Sequence, residues 1–311
     1  MLQAVSAVGS ADLRPRGRGE GLLADEVKRR PRPLEQRIGM MQGRLVRAAT
    51  GELDCSPGAR WREEFQAAAA LRLNHIELVA DRLLDSSNPL WSADGRDEIV
   101  SVAESTGVEV ASLCLNEVLT SPIDEMSADL VKRLGAVLRD LPVRVVVVPL
   151  LEASDLNSVD RRSAVRSIRL LAGDLLDDEC QLVVELGLSA ADSLRFLDTI
   201  GSPRVGLCYD VGNATAFGFD PTHELRILGS AVWHLHAKDK DASKENVRFG
   251  TGQVPFAGVL QELSRQGFDG LVTMEATRGD DPFTTAAEHR DFLLSMQHQD
   301  RVARKRSADD D

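Results

Sequence analysis

The chain has 311 residues, 43% hydrophobic and 28% charged, an ordinary globular composition with a formal net charge of −12. That acidic balance argues against binding a nucleic-acid backbone, which needs a basic face, while leaving room for a local basic pocket that holds one sugar phosphate. No run approaches the ~18 apolar residues of a membrane span, and no secretory apolar segment opens the chain, so we expect a cytoplasmic protein with no membrane partner. Cys55, Cys114, Cys180 and Cys208 occur singly, without CxxC spacing, and read as buried free thiols in a reducing compartment.

Residues 1–37 mix Pro, Gly and Arg in LRPRGRGEG and KRRPRP without apolar periodicity. They are expected to form a disordered extension, or to precede the true start. A nucleic-acid or targeting arm is the other reading, and the acidic chain disfavours it. The charged residues 298–311 are expected to be an unstructured tail.

Between these tails one pattern recurs: a short apolar run, a polar loop, then an amphipathic helix. IGMMQ (38–42) is the first strand, followed by a helix over Trp61 to Leu73 with Phe65, Ala69 and Leu73 on one face. HIELVA (75–80) precedes a helix over Arg96 to Ser105, and VEVASLCL (108–115) precedes one over Ala128 to Leu138. VRVVVVPLL (143–151) is nearly continuous valine, as expected of a parallel strand buried on both faces. A long helix over Ser158 to Asp177 follows it. QLVVELG (181–187) leads into a helix over Ala190 to Ile200, and RVGLCY into a short helix over Pro221 to Leu228. AVWHLHAK, an extended GTGQVPF loop and a helix over Phe256 to Arg265 come next. GLVTMEA (270–276) and a helix over Thr285 to Met296 complete the series.

Eight such units predict an α/β fold of the (β/α)8 TIM-barrel type as a single domain over 38–297. MQGRLVRAATGEL has the wrong glycine spacing for a dinucleotide turn, which excludes a doubly wound nucleotide-binding sheet.

In such barrels function gathers at the C-terminal ends of the strands. Glu185, Asp210, His236 and Glu275 fall at or near that edge, one each from the fifth to eighth strands. A single carboxylate there reads as a solvated strand end. Four ligand-type groups in successive units read as an oxygen-rich divalent-metal site, suited to Mn²⁺, Mg²⁺ or Co²⁺ better than to Zn²⁺.

The segments VVELG, CYDVGNATAFGFDP, HLHAKDKD, RFGTGQVPFAGVLQEL and FDGLVTMEATR carry a family likeness. Over roughly residues 38–297 the chain resembles the xylose isomerase-like TIM-barrel superfamily of sugar phosphate isomerases and epimerases. MQGRL, WREEF, IELVAD, NPLWS and SLCLN are similar to one bacterial subgroup of it. The resemblance implies that Glu185, Asp210, His236 and Glu275 bind the metal, and that the two glutamates act as acid and base on a small carbohydrate. A metal would polarise the substrate oxygens and stabilise a cis-enediolate while carboxylates on opposite faces exchange its proton. It also implies a homodimer. Two positions depart from the family pattern. Asn213 stands where many relatives carry a His after the sixth-strand Asp, and Asn116 ends the third strand where an Asp is expected.

Other polar residues carry paired readings. Asn213 and Asn116 are candidate substrate contacts. Lys238 reads either as a substrate contact or as a salt bridge to Asp239, and Arg278 either as a clamp on a substrate oxygen or as an ion pair with Asp280 or Asp281. Glu77 reads as an anchor for a substrate hydroxyl or as a barrel-interior partner of Arg44. Trp91 reads as a pocket wall or as loop packing. His234 reads as a packed barrel histidine, and His75 belongs to the stability face.

The leading expectation is a metal-dependent sugar or sugar-phosphate isomerase or epimerase. A dehydratase of the same superfamily, of inosose or dehydroshikimate type, is the runner-up. An abasic-site endonuclease of this fold needs a trinuclear zinc site with several more histidines than the six present, four of which lie away from the strand ends. A non-catalytic barrel that keeps its metal is a further reading.

Overall fold

Each apolar run becomes a strand whose successive side chains face alternately into a barrel and out towards its helices. The computed structural model describes residues 31–309 apart from 48–50, 52, 54, 82–84 and 176–178, with side chains described up to residue 298 except that of residue 174. The eight strands are β1 (Ile38–Met41), β2 (His75–Val79), β3 (Glu109–Cys114), β4 (Val145–Leu150), β5 (Gln181–Leu186), β6 (Val205–Asp210), β7 (Val232–Ala237) and β8 (Leu271–Met274). They close in sequence order, every pairing parallel, with β8 beside β1. The (β/α)8 barrel expected from the eightfold pattern is the observed fold.

The major helices are α1 (Trp61–Ala70), α2 (Ala93–Thr106), α3 (Ala128–Asp140), α4 (Arg161–Leu170), α5 (Ala190–Ile200), α6 (Pro221–Leu228), α7 (Phe256–Gln266) and α8 (Pro282–Asp309). Capping chemistry sets their ends. The side chains of Ser127, Asp160, Ser189 and Asp220 accept backbone N–H groups of the first turns of α3, α4, α5 and α6. Gly107, Gly201 and Gly267 end α2, α5 and α7 in the left-handed conformation. The cap at Asp160 explains why α4 begins later than the periodicity suggests, and a π-helical turn over Leu171–Leu175 replaces its expected last turn.

The strand pleat divides the apolar side chains into two cores. Ile76, Leu78, Val146, Val148, Leu182 and Val184 belong to the larger cluster that includes Phe65 of α1, Leu134 of α3 and Ile168 of α4. Met41, Val79, Val145, Val147, Val183, Cys208 and Leu271 form a smaller one that fills the barrel. Removing a buried Leu or Ile side chain from such a layer costs about 2–5 kcal/mol. All four cysteines are buried, and none forms a disulfide.

Two boundaries differ from expectation. Residues 31–37 do not belong to an unstructured extension: Arg37 is buried, donates to Gly270 O, and follows a 3-10 turn over Leu34–Gln36. Residues 1–30 lie outside the described residues. At the other end α8 continues to Asp309 through 298–309, because Arg, Lys and Ala favour helix even without an apolar stripe. Among the described residues no helix is long and apolar enough to cross a membrane.

Candidate active site

The same two-residue period that builds the inner core aims the polar side chains. Glu185 follows Val183 on the inward face of β5, and Asp210 follows Cys208 on β6. His236 follows His234 on β7, and Glu275 follows Leu271 and Thr273 at the end of β8. Register brings them level: His236 pairs with Asp210 on one side and with Thr273 on the other. A bulge between Leu207 and Cys208 sets the pairing of β6 with β7.

His236 is the centre of the cluster and is completely buried. Its Nδ1 lies 3.0 Å from Glu275 Oε2 and 3.5 Å from Glu185 Oε2, while its Nε2 lies 2.9 Å from Glu77 Oε1. Ligand-type atoms of Glu185, Asp210 and His236 all fall within 4.8 Å of one another. Glu275 Oε1 meets Lys238 Nζ at 2.6 Å and an Arg44 guanidinium nitrogen at 3.4 Å. Lys238 Nζ also stands 3.0 Å from Asp210 Oδ2. Asp210 caps the short helix Val211–Ala216, its Oδ1 accepting the Asn213 N–H at 2.7 Å, and Asn213 Nδ2 donates to Glu185 at 2.8 Å. Gly212 is required beside this turn, since a Cβ there would lie 2.8 Å from the Lys238 side chain.

Burial and charge move the titrations apart. Burial pushes the Asp210 carboxyl up to about 6 despite Lys238. Burial also opposes ionisation of Glu275, but Lys238, His236 and Arg44 outweigh it and hold this carboxyl below its ordinary value. Glu77 is likewise fully buried, and its contacts with His236 and His234 hold it well below the ordinary value.

The residues fit a divalent cation. His236 Nδ1 is buried and accepts or donates no hydrogen bond, although two carboxylates face it. In the tautomer whose Nε2–H donates to Glu77, Nδ1 would present a lone pair to a cation, the arrangement in which a supporting carboxylate orients a ligating imidazole. A donor set of carboxylate oxygens and one imidazole matches the intermediate and hard divalent ions.

The cluster opens onto a cavity of about 390 Å³, within the range of small-molecule sites and lined by Asn116, Glu185, Asn213, Lys238 and Glu275 among others. A larger groove, about 770 Å³ between α4 and α5, lies away from all of these residues.

Residues 65–296 match the Xylose isomerase-like TIM barrel family. The chain belongs to that family. Among curated relatives of this family member is L-ribulose-5-phosphate 3-epimerase UlaE of Escherichia coli strain K12, 26% identical over 260 residues, covering 76% of this chain and 89% of that one. Among solved structures, an L-ribulose 3-epimerase superposes with a TM-score of 0.65 at 17% identity, covering 86% of this chain and 97% of that one. The 3-keto-D-glucoside 4-epimerase YcjR from E. coli gives 0.63 at 14% identity, with 84% and 99% covered. At these identities the structural likeness is a likeness of fold.

Several expectations for this family member change on inspection. Glu77 neither faces the cavity nor pairs with Arg44: its two oxygens lie 2.9 Å from the Nε2 atoms of His234 and His236. Arg44 instead reaches Glu275. Lys238 pairs with Asp210 and Glu275 and not with Asp239, whose buried carboxylate accepts the N–H groups of Gly250, Gly252 and Val254. Arg278 is buried and donates to Gly43 O and Gly51 O, so it straps the loop after β1 and does not line the cavity. Trp91 does not line the cavity either, and its Nε1 donates to Asp81 O at 2.9 Å. His234 is a packed barrel histidine, as expected, meeting Glu77 and Thr273.

Sequence reading missed the support from Arg44 and the cavity positions Glu152, Asp155, Lys240 and Asn246. The last two sit on a two-stranded ladder, Asp239–Lys240 with Asn246–Val247, after β7. Their place just beyond a C-terminal strand end was the available signal.

Proposed function

We propose that the protein is a divalent-metal-dependent isomerase or epimerase of a sugar or sugar phosphate, with Glu185 and Glu275 as its acid–base pair. The observation that carries this reading is the facing of these two carboxylates, from β5 and β8, across His236 Nδ1 at the floor of a monosaccharide-sized cavity. Curated relatives named as sugar-phosphate epimerases support it.

Glu185, Asp210, His236 and Glu275 would hold the cation, with Mn²⁺, Mg²⁺ or Co²⁺ favoured over Zn²⁺ by the oxygen-rich set. When bound, the ion supplies Lewis-acid polarisation of the substrate carbonyl and hydroxyl. The protein groups supply the proton chemistry. One glutamate removes the proton next to the carbonyl, and the other delivers a proton to the opposite face of the enediolate. In a reversible epimerisation the two exchange roles with direction. Asn213 orients Glu185 through its 2.8 Å hydrogen bond. Lys238 and Arg44 keep Glu275 ionised and in place. Glu77 fixes the His236 ring, and Asn116 meets the substrate at the end of β3. A homodimer of the chain, and a barrel domain bounded near 38–297, belong to the same proposal.

Purified protein supplied with Mn²⁺ should wash solvent deuterium into the carbon beside the carbonyl of its substrate when a panel of ketoses and their phosphates is run in D₂O. An unsaturated product formed without deuterium in recovered substrate would replace this reading with the dehydratase one.

A further inference from the structure

The groove of about 770 Å³ between α4 and α5 carries a charge opposite to that of the chain. Among the described residues its lining sets five guanidinium groups, Arg161, Arg162, Arg166, Arg169 and Arg195, against the one carboxylate of Asp192. The helical period gathers four of them on one edge of α4. Arg161 and Arg169 stand four residues either side of Val165, and Arg162 and Arg166 are four apart, while Ala164 and Ile168 turn into the core. Like charges at this spacing weaken a helix unless a counter-charge meets them. The groups that hold these arginines do not supply one. Arg161 donates to Leu156 O and Asn157 Oδ1, Arg166 to Ser163 Oγ, and Arg169 to Ile200 O and Thr199 O. Neutral acceptors orient the guanidinium groups and leave their charge in place. Arg162 is exposed. Arg195 pairs with Asp192, which also accepts from Ser189 Oγ, and the neighbouring Asp160 is spent on capping α4 through Ser163. Val165, Leu188 and Phe196 give the groove an apolar floor.

We propose that this groove binds a nucleoside polyphosphate, its phosphates along the α4 arginines and its base over the apolar floor. Guanidinium forks match phosphate oxygens bidentately and stack on planar rings. The volume falls in the range of small-molecule sites. An apolar floor flanked by uncompensated positive charge suits a ligand with one flat apolar end and one multiply charged end. A nucleic-acid backbone would need a basic face extending well beyond one groove, which this acidic chain does not predict.

The test uses the full chain with a chelator present, so that a nucleotide cannot bind through a metal at the catalytic cluster. Calorimetric titration with ATP should saturate below about 1 mM, with an affinity that falls as salt rises. Tripolyphosphate and adenosine, each carrying one end of the ligand, should bind about tenfold or more weakly than ATP. Arg162→Gln combined with Arg166→Gln should weaken ATP binding about tenfold or more while leaving Tm and Mn²⁺-supported turnover unchanged. Absence of saturation by ATP, equally tight binding of tripolyphosphate, or an affinity unmoved in the double variant overturns the proposal. An oligomer that dissociates in that variant, with ATP affinity unmoved, would make the groove a contact between copies of the chain instead.

Discussion

The two halves of the barrel contribute to the site in different ways. In β5–β8 every strand delivers its own ligand-type group to the centre: Glu185, Asp210, His236 and Glu275. In β1–β4 the polar groups work through residues of the other half. Glu77 of β2 holds His236, 159 positions away, and Arg44 after β1 holds Glu275, 231 positions away. The difference separates residues that are recognisable where they stand from residues whose role is defined by a partner across the barrel.

The largest expected effect tests the second half directly. Glu185→Gln and Glu275→Gln should each lower turnover by about 10²–10⁴-fold, the usual contribution of a positioned acid or base. Steady-state exchange rates of the folded variants check this, and near-normal activity in either would remove that residue from the pair.

The first half should show itself in stability and metal affinity. Glu77→Ala strands two buried imidazoles and should destabilise the fold by about 3–5 kcal/mol, read by denaturant unfolding. The milder Glu77→Gln should weaken Mn²⁺ binding by about 10–100-fold, as expected when the support of a ligating histidine is lost. Unchanged metal affinity in that variant would break the proposed link between the halves.

Trp91→Phe offers a smaller contrast. It removes one hydrogen bond to Asp81 O and should cost about 0.5–1.5 kcal/mol without altering KM. A shift in KM would return Trp91 to the substrate wall.

The smallest effect concerns Glu64 of α1, which holds the loop carrying Arg44 by accepting the N–H groups of Gly43, Leu45 and Val46. Burial pushes its carboxyl up from 4.5 to about 7. A carboxyl raised on folding binds its proton more tightly in the native state, so its contribution is complete below pH 4.5 and is lost as pH rises through 7. Tm of Glu64→Gln should therefore fall less steeply than that of the unmodified protein between these values. Equal slopes would show that Glu64 does not titrate there.

The strands were legible because β4 and its neighbours are short apolar runs, and only burial on both faces in a parallel sheet explains continuous valine. Asp210 and His236 were legible because a polar residue closing such a run is costly without a partner or a role. Arg278 and Trp91 misled for the complementary reason. Both follow strand ends or loops that could reach the cavity, and nothing local reveals that Arg278 turns to Gly43 O and Trp91 to Asp81 O.

The sequence by itself determined the eight strand–helix units, the barrel class and the four groups facing its centre, because hydrophobic period and strand-end position are local properties. Tertiary structure alone decided which groups those four meet. Closure of β8 onto β1 and the strand bulges bring Glu77 under His236 and Arg44 against Glu275, contacts between residues that no local pattern connects. It alone brought Glu152 and Asp155, from the loop after β4, and Lys240 and Asn246, from the loop after β7, into the lining of one cavity.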